Sequence, residues 1–190
     1  MSQRDFESIP ARTTFVLGGA RSGKSAHAEQ LAAASGLPVS YLATAASPGQ
    51  AGAAEDSEFA ERIAVHRARR PVHWRTIETG IDLAGALVQG GEDCVLVDCL
   101  TLWLTALFFS AESDGPRADW RERIAAFDEA LGASSSRVII VSNEIGLGVV
   151  PMGAQTRLFV DELGRLNQRI AARCEEVVMM VAGIPMKVKP

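Results

Sequence analysis

The sequence has little of what would place it outside the ordinary globular range. Its three cysteines, Cys94, Cys99 and Cys174, are an odd number without the paired spacing of a zinc site, which excludes a disulfide framework or a structural metal. They read as buried thiols of a reducing compartment. No hydrophobic run is long. The longest, Val177 to Met186, is about half of the roughly 20 residues a bilayer span requires, and Gly183 and Pro185 interrupt it. Residues 1–10 carry Arg4, Asp5 and Glu7 and lack the apolar stretch of a signal peptide, so the expected location is the cytoplasm. Excess positive charge is also missing: 19 Lys and Arg against 23 Asp and Glu leave a net charge of −4. That balance argues against a general nucleic-acid binder and leaves room for a local cationic pocket. What is present is a 190-residue chain, 47% hydrophobic and 22% charged, enough for one domain over residues 1–190 with its own core. Residues 1–12 are expected to form a flexible extension.

Short apolar runs alternate with longer helical patterns, without an internal repeat. The expected strands are Thr13–Leu17, Val39–Leu42, Trp74–Ile77, Cys94–Val97, Arg137–Val141 and Val177–Val181. Several are nearly continuous in Val, Ile and Leu, as when helices cover both faces of a parallel sheet. The expected helices are Lys24–Ala34, Ser57–Arg69, Asp82–Gln89, Leu100–Phe109, Asp119–Leu131 and Thr156–Arg173. In the last, Phe159, Leu163, Leu166, Ile170 and Cys174 draw one apolar stripe while Arg165, Arg169 and Arg173 face elsewhere. Such alternation predicts a doubly wound α/β fold with ligands at the carboxyl ends of the strands. Two loops are long, Ala45–Asp56 and Asn143–Gln155, and long loops on a compact domain are mobile or functional.

The strongest motif is Gly18, Gly19, Ala20, Arg21, Ser22, Gly23, Lys24 and Ser25, a complete G-x-x-x-x-G-K-[ST] phosphate loop. An apolar strand runs into it and a helical pattern runs out, so backbone N–H groups can surround a triphosphate at a helix N-terminus. Lys24 would reach the β- and γ-phosphates, and the Ser25 hydroxyl would bind Mg2+. The fold expectation sharpens to a P-loop NTPase-type (RecA-like) α/β domain: a mostly parallel sheet with helices on both faces. Val95, Leu96 and Val97 lead to Asp98, a carboxylate at a strand end where such folds hold the magnesium ion or its water.

A phosphate loop says only that a nucleotide is bound. The basic stretch from Arg62 to Pro71 narrows the reaction, because on a helix Arg62 lies one turn before His66, beside Arg67, Arg69 and Arg70. Neighbouring cations disfavour the imidazolium and keep His66 neutral, as a nucleophile attacking phosphorus must be. His27 and His73 have no comparable setting and are read as structural. From these residues alone, a simple small-molecule kinase and a nucleotide-dependent switch both stay open.

Several segments in fixed order resemble one family. They are the GGARSGKS loop, YLATA at Tyr41–Ala45, the run from Asp56 to Glu78 that contains R-I-x-x-H and R-P-x-x-W-x-T-x-E, VDCLTLWLT at Val97–Thr105, SNEIGLGVVP at Ser142–Pro151, and R-x-F-x-D-x-x-G-x-x-N-Q from Arg157 to Gln168. The chain is similar over about Thr14 to Lys189 to the bifunctional adenosylcobinamide kinase / adenosylcobinamide-phosphate guanylyltransferases. The resemblance implies phosphorylation of adenosylcobinamide by ATP or GTP, then transfer of GMP from GTP through a guanylylated histidine to adenosylcobinamide phosphate. It implies that His66 is the guanylylated residue, and that Gly18 to Ser25, Ala43, Thr44, Ala45, Arg67, Ala68, Arg69, Arg70, Glu78 and Asp98 contact nucleotide. It also implies a homo-oligomer, a trimer. The chain departs from the family pattern in Ser47–Glu55, which is longer and richer in small residues, and in Phe59, where methionine is common. Asn143, Glu144 and the glycines after them lie where an open sheet binds substrate, without an assigned step. Arg157, Asp161, Arg165 and Asn167 read equally as interface or helix-surface residues.

Overall fold

The computed structural model describes residues 11–45, 61, 64, 67–109 and 115–190. Strands β1 (Thr13–Gly18), β2 (Val39–Ala43), β3 (Arg75–Glu78), β4 (Cys94–Asp98), β5 (Arg137–Asn143), β6 (Glu176–Val181) and β7 (Ile184–Lys189) form one seven-stranded sheet in the order β3-β2-β4-β5-β1-β6-β7. The first six are mutually parallel and β7 pairs antiparallel with β6. Between them run α1 (Lys24–Ala33), α2 (Leu83–Gln89), α3 (Leu100–Phe108), α4 (Trp120–Ala133) and α5 (Ala154–Arg173). Residues 61, 64 and 67–69 are also helical, within the span where the sequence predicts a helix.

Side-chain alternation sorts the strands into two cores, because neighbours along a strand face opposite sides of the sheet. Phe15, Val95, Val97, Val138 and Ile140 pack beneath α2, α3, α4 and α5, whereas Val16, Leu96, Ile139 and Val141 pack with Ala28 and Ala32 of α1. Helices therefore cover both faces, as the continuous apolar strands predict. The thicker core is tied by aromatic contacts: Phe108 meets Trp120 at 5.1 Å and Phe159 at 5.8 Å between ring centroids, which joins α3, α4 and α5. The apolar stripe of α5 is confirmed, with Phe159, Leu163, Leu166 and Ile170 buried. All three cysteines are buried and free. No helix among the described residues is long and apolar enough to cross a membrane.

The structure corrects the sequence reading in two places. The expected strand Val177–Val181 is present as β6, but the rest of the apolar run, for which the sequence predicts no strand, returns as β7 in a hairpin turned at Ala182 and Gly183, whose φ angles are 50° and 81°. Two successive positive φ values make the tight hairpin turn whose twist suits the flanking strands. Ala-Gly is an uncommon sequence for it, and Pro185 sits harmlessly on an edge strand. Arg12, within the expected N-terminal extension, is tied to the sheet: its carbonyl accepts from Val138 N–H at 2.8 Å, and its N–H donates to Glu175 Oε2 at 2.6 Å, while residues 1–10 lie outside the described residues.

Candidate functional site

The parallel register lines up one end of the sheet. Ala43 sits opposite both Glu78 and Asp98, Asp98 opposite Val141, and Gly18 opposite Asn143. The strands thus deliver the phosphate loop, Asp98, Glu78 and the Ala43–Ala45 segment to a single row at their carboxyl ends, where an open α/β sheet binds ligands. Strand β5 stands between the phosphate-loop strand β1 and the Asp98 strand β4.

The loop leaves β1 at Gly18, which must lack a side chain: a Cβ there would lie 2.4 Å from Ser22 Oγ and 2.9 Å from the Met180 carbonyl oxygen. It turns through left-handed backbone at Arg21 and Gly23, with φ of 57° and 92°. Successive turns of this kind point backbone N–H groups into one concavity, the geometry of an anion cradle. Helix α1 begins immediately at Lys24, so its N-terminal dipole faces the same place. Lys24 Nζ donates to the Gly19 carbonyl at 3.1 Å, folding the lysine back over the loop. The β6–β7 hairpin supports the loop from outside, its Gly183 N–H donating to the Ser22 carbonyl at 3.0 Å.

Across the cradle, Ser25 Oγ donates to Asp98 Oδ1 at 3.3 Å and the Tyr41 hydroxyl donates to Asp98 Oδ2 at 2.8 Å. Burial, reinforced by the Asp98 charge, pushes the Tyr41 phenol far above its ordinary value, so it remains a donor. Ser25 and Asp98 are two hard oxygen donors, and no group of three or more His, Cys, Asp or Glu side chains suited to a metal exists among the described residues. Such a sparse set suits Mg2+, which keeps waters and takes substrate phosphates as ligands, better than a metal needing a protein cage. The adjoining Cys99 is no rival nucleophile: burial, with the Asp98 charge, pushes its thiol up to about 12.

Behind Asp98, Thr44 and Cys99 bind reciprocally. Thr44 Oγ1 donates to the Cys99 carbonyl at 2.8 Å and accepts from Cys99 N–H at 2.7 Å, a buried clamp between the ends of β2 and β4. The Thr44 hydroxyl is thus committed to the frame between β2 and β4. The basic segment stands at the outer edge. Arg67 pairs with Glu78 at 3.3 Å, Arg69 with Glu29 at 2.9 Å, and the Arg70 guanidinium lies 3.6 Å from the centroid of the Tyr41 ring. Ala68 is exposed between them. His66, with Arg62, Ile63 and Phe59, lies outside the described residues, as does Ser47–Glu55.

Two residues were missed or misread from sequence. Tyr41 stood in a quoted segment without a role; the signal was the only tyrosine of the chain, placed in an otherwise apolar buried strand. Asn167 is not on the surface: it is 4% exposed, and its Nδ2 donates to the Asn143 carbonyl at 3.0 Å, bracing the end of β5. Arg157, Asp161 and Arg165 are exposed on the same helix.

A nucleotide cradle, a serine–aspartate pair and a basic segment at one sheet end agree with what comparison with known proteins gives. The bifunctional adenosylcobalamin biosynthesis protein CobP of Pseudomonas aeruginosa is 56% identical over 176 residues, covering 92% of this chain and 95% of that protein. The bifunctional adenosylcobalamin biosynthesis proteins CobU of Escherichia coli and Salmonella typhimurium are 39% and 37% identical, each covering 92% of this chain and 98% of the relative. Among solved structures, the flagellar accessory protein FlaH from Methanocaldococcus jannaschii aligns with a TM-score of 0.48 at 13% identity, covering 96% of this chain and 80% of that one. The family described as cobinamide kinase / cobinamide phosphate guanyltransferase matches residues 14–188. With the phosphate loop, Asp98 and all of the sheet but its first and last residues inside that span, this chain belongs to the cobinamide kinase / cobinamide phosphate guanyltransferase family.

Proposed function

We propose that this protein phosphorylates adenosylcobinamide with ATP or GTP and then transfers GMP from GTP to adenosylcobinamide phosphate, with His66 as the covalent carrier. The observation that carries the reading is the cradle itself: a phosphate loop facing the Ser25–Asp98 pair, in a chain whose family performs both transfers.

In the first reaction the acceptor hydroxyl oxygen attacks the γ-phosphorus. One O–P bond forms, the bond to the β,γ-bridging oxygen breaks, and the hydroxyl proton is released as the nucleoside diphosphate leaves. The loop N–H groups and Lys24 hold the phosphates and offset charge on the leaving oxygen. Ser25 and Asp98 would hold Mg2+, directly or through water, which when bound supplies charge neutralisation between the phosphates. In the second reaction a His66 ring nitrogen attacks the α-phosphorus of GTP and pyrophosphate leaves. A phosphate oxygen of the phosphorylated corrinoid then attacks the same phosphorus and displaces the imidazole. Dividing one displacement between two anions into two steps through a neutral nucleophile lowers each barrier, and Arg67, Arg69 and Arg70 screen the negative charge of the approaching groups. Glu78 orients Arg67 through their ion pair.

We place the protein in the cytoplasm, a reading supported by its three buried free thiols, and read it as a homo-oligomer, a trimer. The exposed Ile184, Met186 and Val188 on the edge strand β7 support a contact between copies, which light scattering on the purified protein would count.

The test of function is incubation with Mg2+ and GTP labelled at the α-phosphate, then denaturation and peptide mapping. Acid-labile, base-stable label on His66 is expected. A protein that transfers γ-phosphate from ATP yet takes no label would be a simple kinase, with His66 reduced to binding or packing.

A further inference from the structure

One side chain touches both halves of the cleft. Tyr41 is 1% exposed, and its two ends do different things: the hydroxyl donates to Asp98 Oδ2 at 2.8 Å, while the ring face carries the Arg70 guanidinium at 3.6 Å. We infer that Tyr41 is a positioning residue that joins the magnesium carboxylate to the basic segment, fixing Asp98 through its hydroxyl and Arg70 through its ring.

A carboxylate on a short side chain rotates between orientations unless an oxygen is tied. With Oδ2 held by the phenol, Oδ1 is left facing Ser25 Oγ at 3.3 Å, so the two hard donors converge before any ligand arrives. Groups that orient a ligating carboxylate in this way usually matter to metal affinity nearly as much as the ligand itself. The other end works on a different principle. A planar guanidinium stacks on an aromatic face, where attraction to the ring holds it, and the Arg70 charge also acts on the Tyr41 phenol. Arg70 Nε is buried and has no hydrogen-bond partner among the described residues. A buried charged donor without an acceptor is costly, and an anionic oxygen of the nucleotide would satisfy it. Arg70 thus differs from Arg67 and Arg69, whose guanidinium groups are each paired with a carboxylate. A tyrosine serving only as core filler would need neither contact. Phenylalanine would fill the same space.

This inference rests on the proposed reading of Ser25 and Asp98 as magnesium donors and of the basic segment as the guanylylation side. The experiment compares Tyr41→Phe, which removes only the hydroxyl, with Tyr41→Leu, which removes the ring as well. Binding of a fluorescent ATP analogue is titrated with Mg2+, and the rate of GMP labelling from GTP is measured at saturating Mg2+. The Phe variant should need about tenfold more Mg2+ for the same tightening of nucleotide binding, with binding in chelator unchanged. The Leu variant should share that shift and label at least tenfold more slowly than the Phe variant. Thermal melting confirms that both variants fold. An unchanged Mg2+ dependence in the Phe variant, or equal labelling rates in the two variants, overturns the inference. Absence of labelling in the unsubstituted protein would instead overturn the guanylyltransferase reading, a failure separable from this one because the Mg2+ titration does not depend on it.

Discussion

The two sides of the cleft are built differently. On the phosphate-loop side, groups carried by the strands, by α1 and by the β6–β7 turn are tied to one another by hydrogen bonds: Ser25 and Tyr41 to Asp98, Thr44 to Cys99, Gly183 to Ser22. On the basic side, Arg67 and Glu78 are 48% and 56% exposed in their side chains, and Arg69 is 42% exposed. An ion pair as open as Arg67–Glu78 is worth about 0–1 kcal/mol, so it steers Arg67 without locking it, whereas Glu29, the partner of Arg69, is only 12% exposed. The difference follows from the chemistry proposed for each side. Phosphoryl transfer proceeds in a fixed electrostatic cradle, which works best when preorganised. A carrier histidine must meet GTP and then a bulky corrinoid phosphate, and a loosely held, charged margin can adjust to both. Tyr41 is where the rigid side reaches across to the adjustable one.

The largest test of this division removes one side at a time. His66→Ala should abolish covalent labelling by GTP while phosphorylation of adenosylcobinamide by ATP continues. Lys24→Ala should lower both reactions by about a hundredfold to a thousandfold, because a preorganised charge on the phosphates is lost from each transition state. Both are read by label transfer and product formation on the same preparations. If His66→Ala depressed both reactions equally, the two sides would be one functional unit and the contrast would collapse.

Stability should divide along the same line. Thr44→Val removes both bonds of the buried clamp and leaves the Cys99 N–H without its partner, at a cost of about 1–3 kcal/mol. Arg67→Ala breaks only a half-exposed ion pair and should cost less than about 1 kcal/mol. Urea denaturation at constant slope measures both; similar losses would mean that the basic side is as firmly built as the strand ends.

The sequence made the rigid side legible for physical reasons. A phosphate loop is a local object, eight consecutive residues whose spacing alone defines the cradle, and apolar strands covered on both faces announce themselves by continuous Val, Ile and Leu. Asp98 could be found because it ends such a strand. Contacts made across the sheet were not legible. Nothing local says that Tyr41 reaches Asp98, 57 positions away, or that Thr44 clamps Cys99, since these depend on which strands become neighbours. Asn167 was misread for the same reason: its helix pattern leaves it near the polar boundary, and only the docking of α5 against the end of β5 buries it. The β6–β7 hairpin escaped because its turn uses Ala182, a residue that seldom adopts positive φ.

The smallest expected effect lies in α1, which carries the phosphate loop. Burial holds the pKa of His27 below the ordinary imidazole value of about 6.5, more than the charge of Glu176 raises it. The folded protein therefore holds His27 neutral over a range in which the unfolded chain has already taken up a proton. The unfolded state binds more protons there, so stability rises with pH through that range, and above it, where both states are neutral, the residue contributes nothing. As pH falls below about 6.5, the value the unfolded chain keeps, His27 should make the protein progressively less stable, until the folded state also protonates. Replacing it by Gln should flatten this part of the stability profile, measured by denaturant midpoint between neutral and mildly acid pH, without altering the profile above it. A slope unchanged by His27→Gln would mean that the burial of His27 contributes nothing to the acid sensitivity, which would then fall to carboxylates paired elsewhere, such as Asp128 with Arg173.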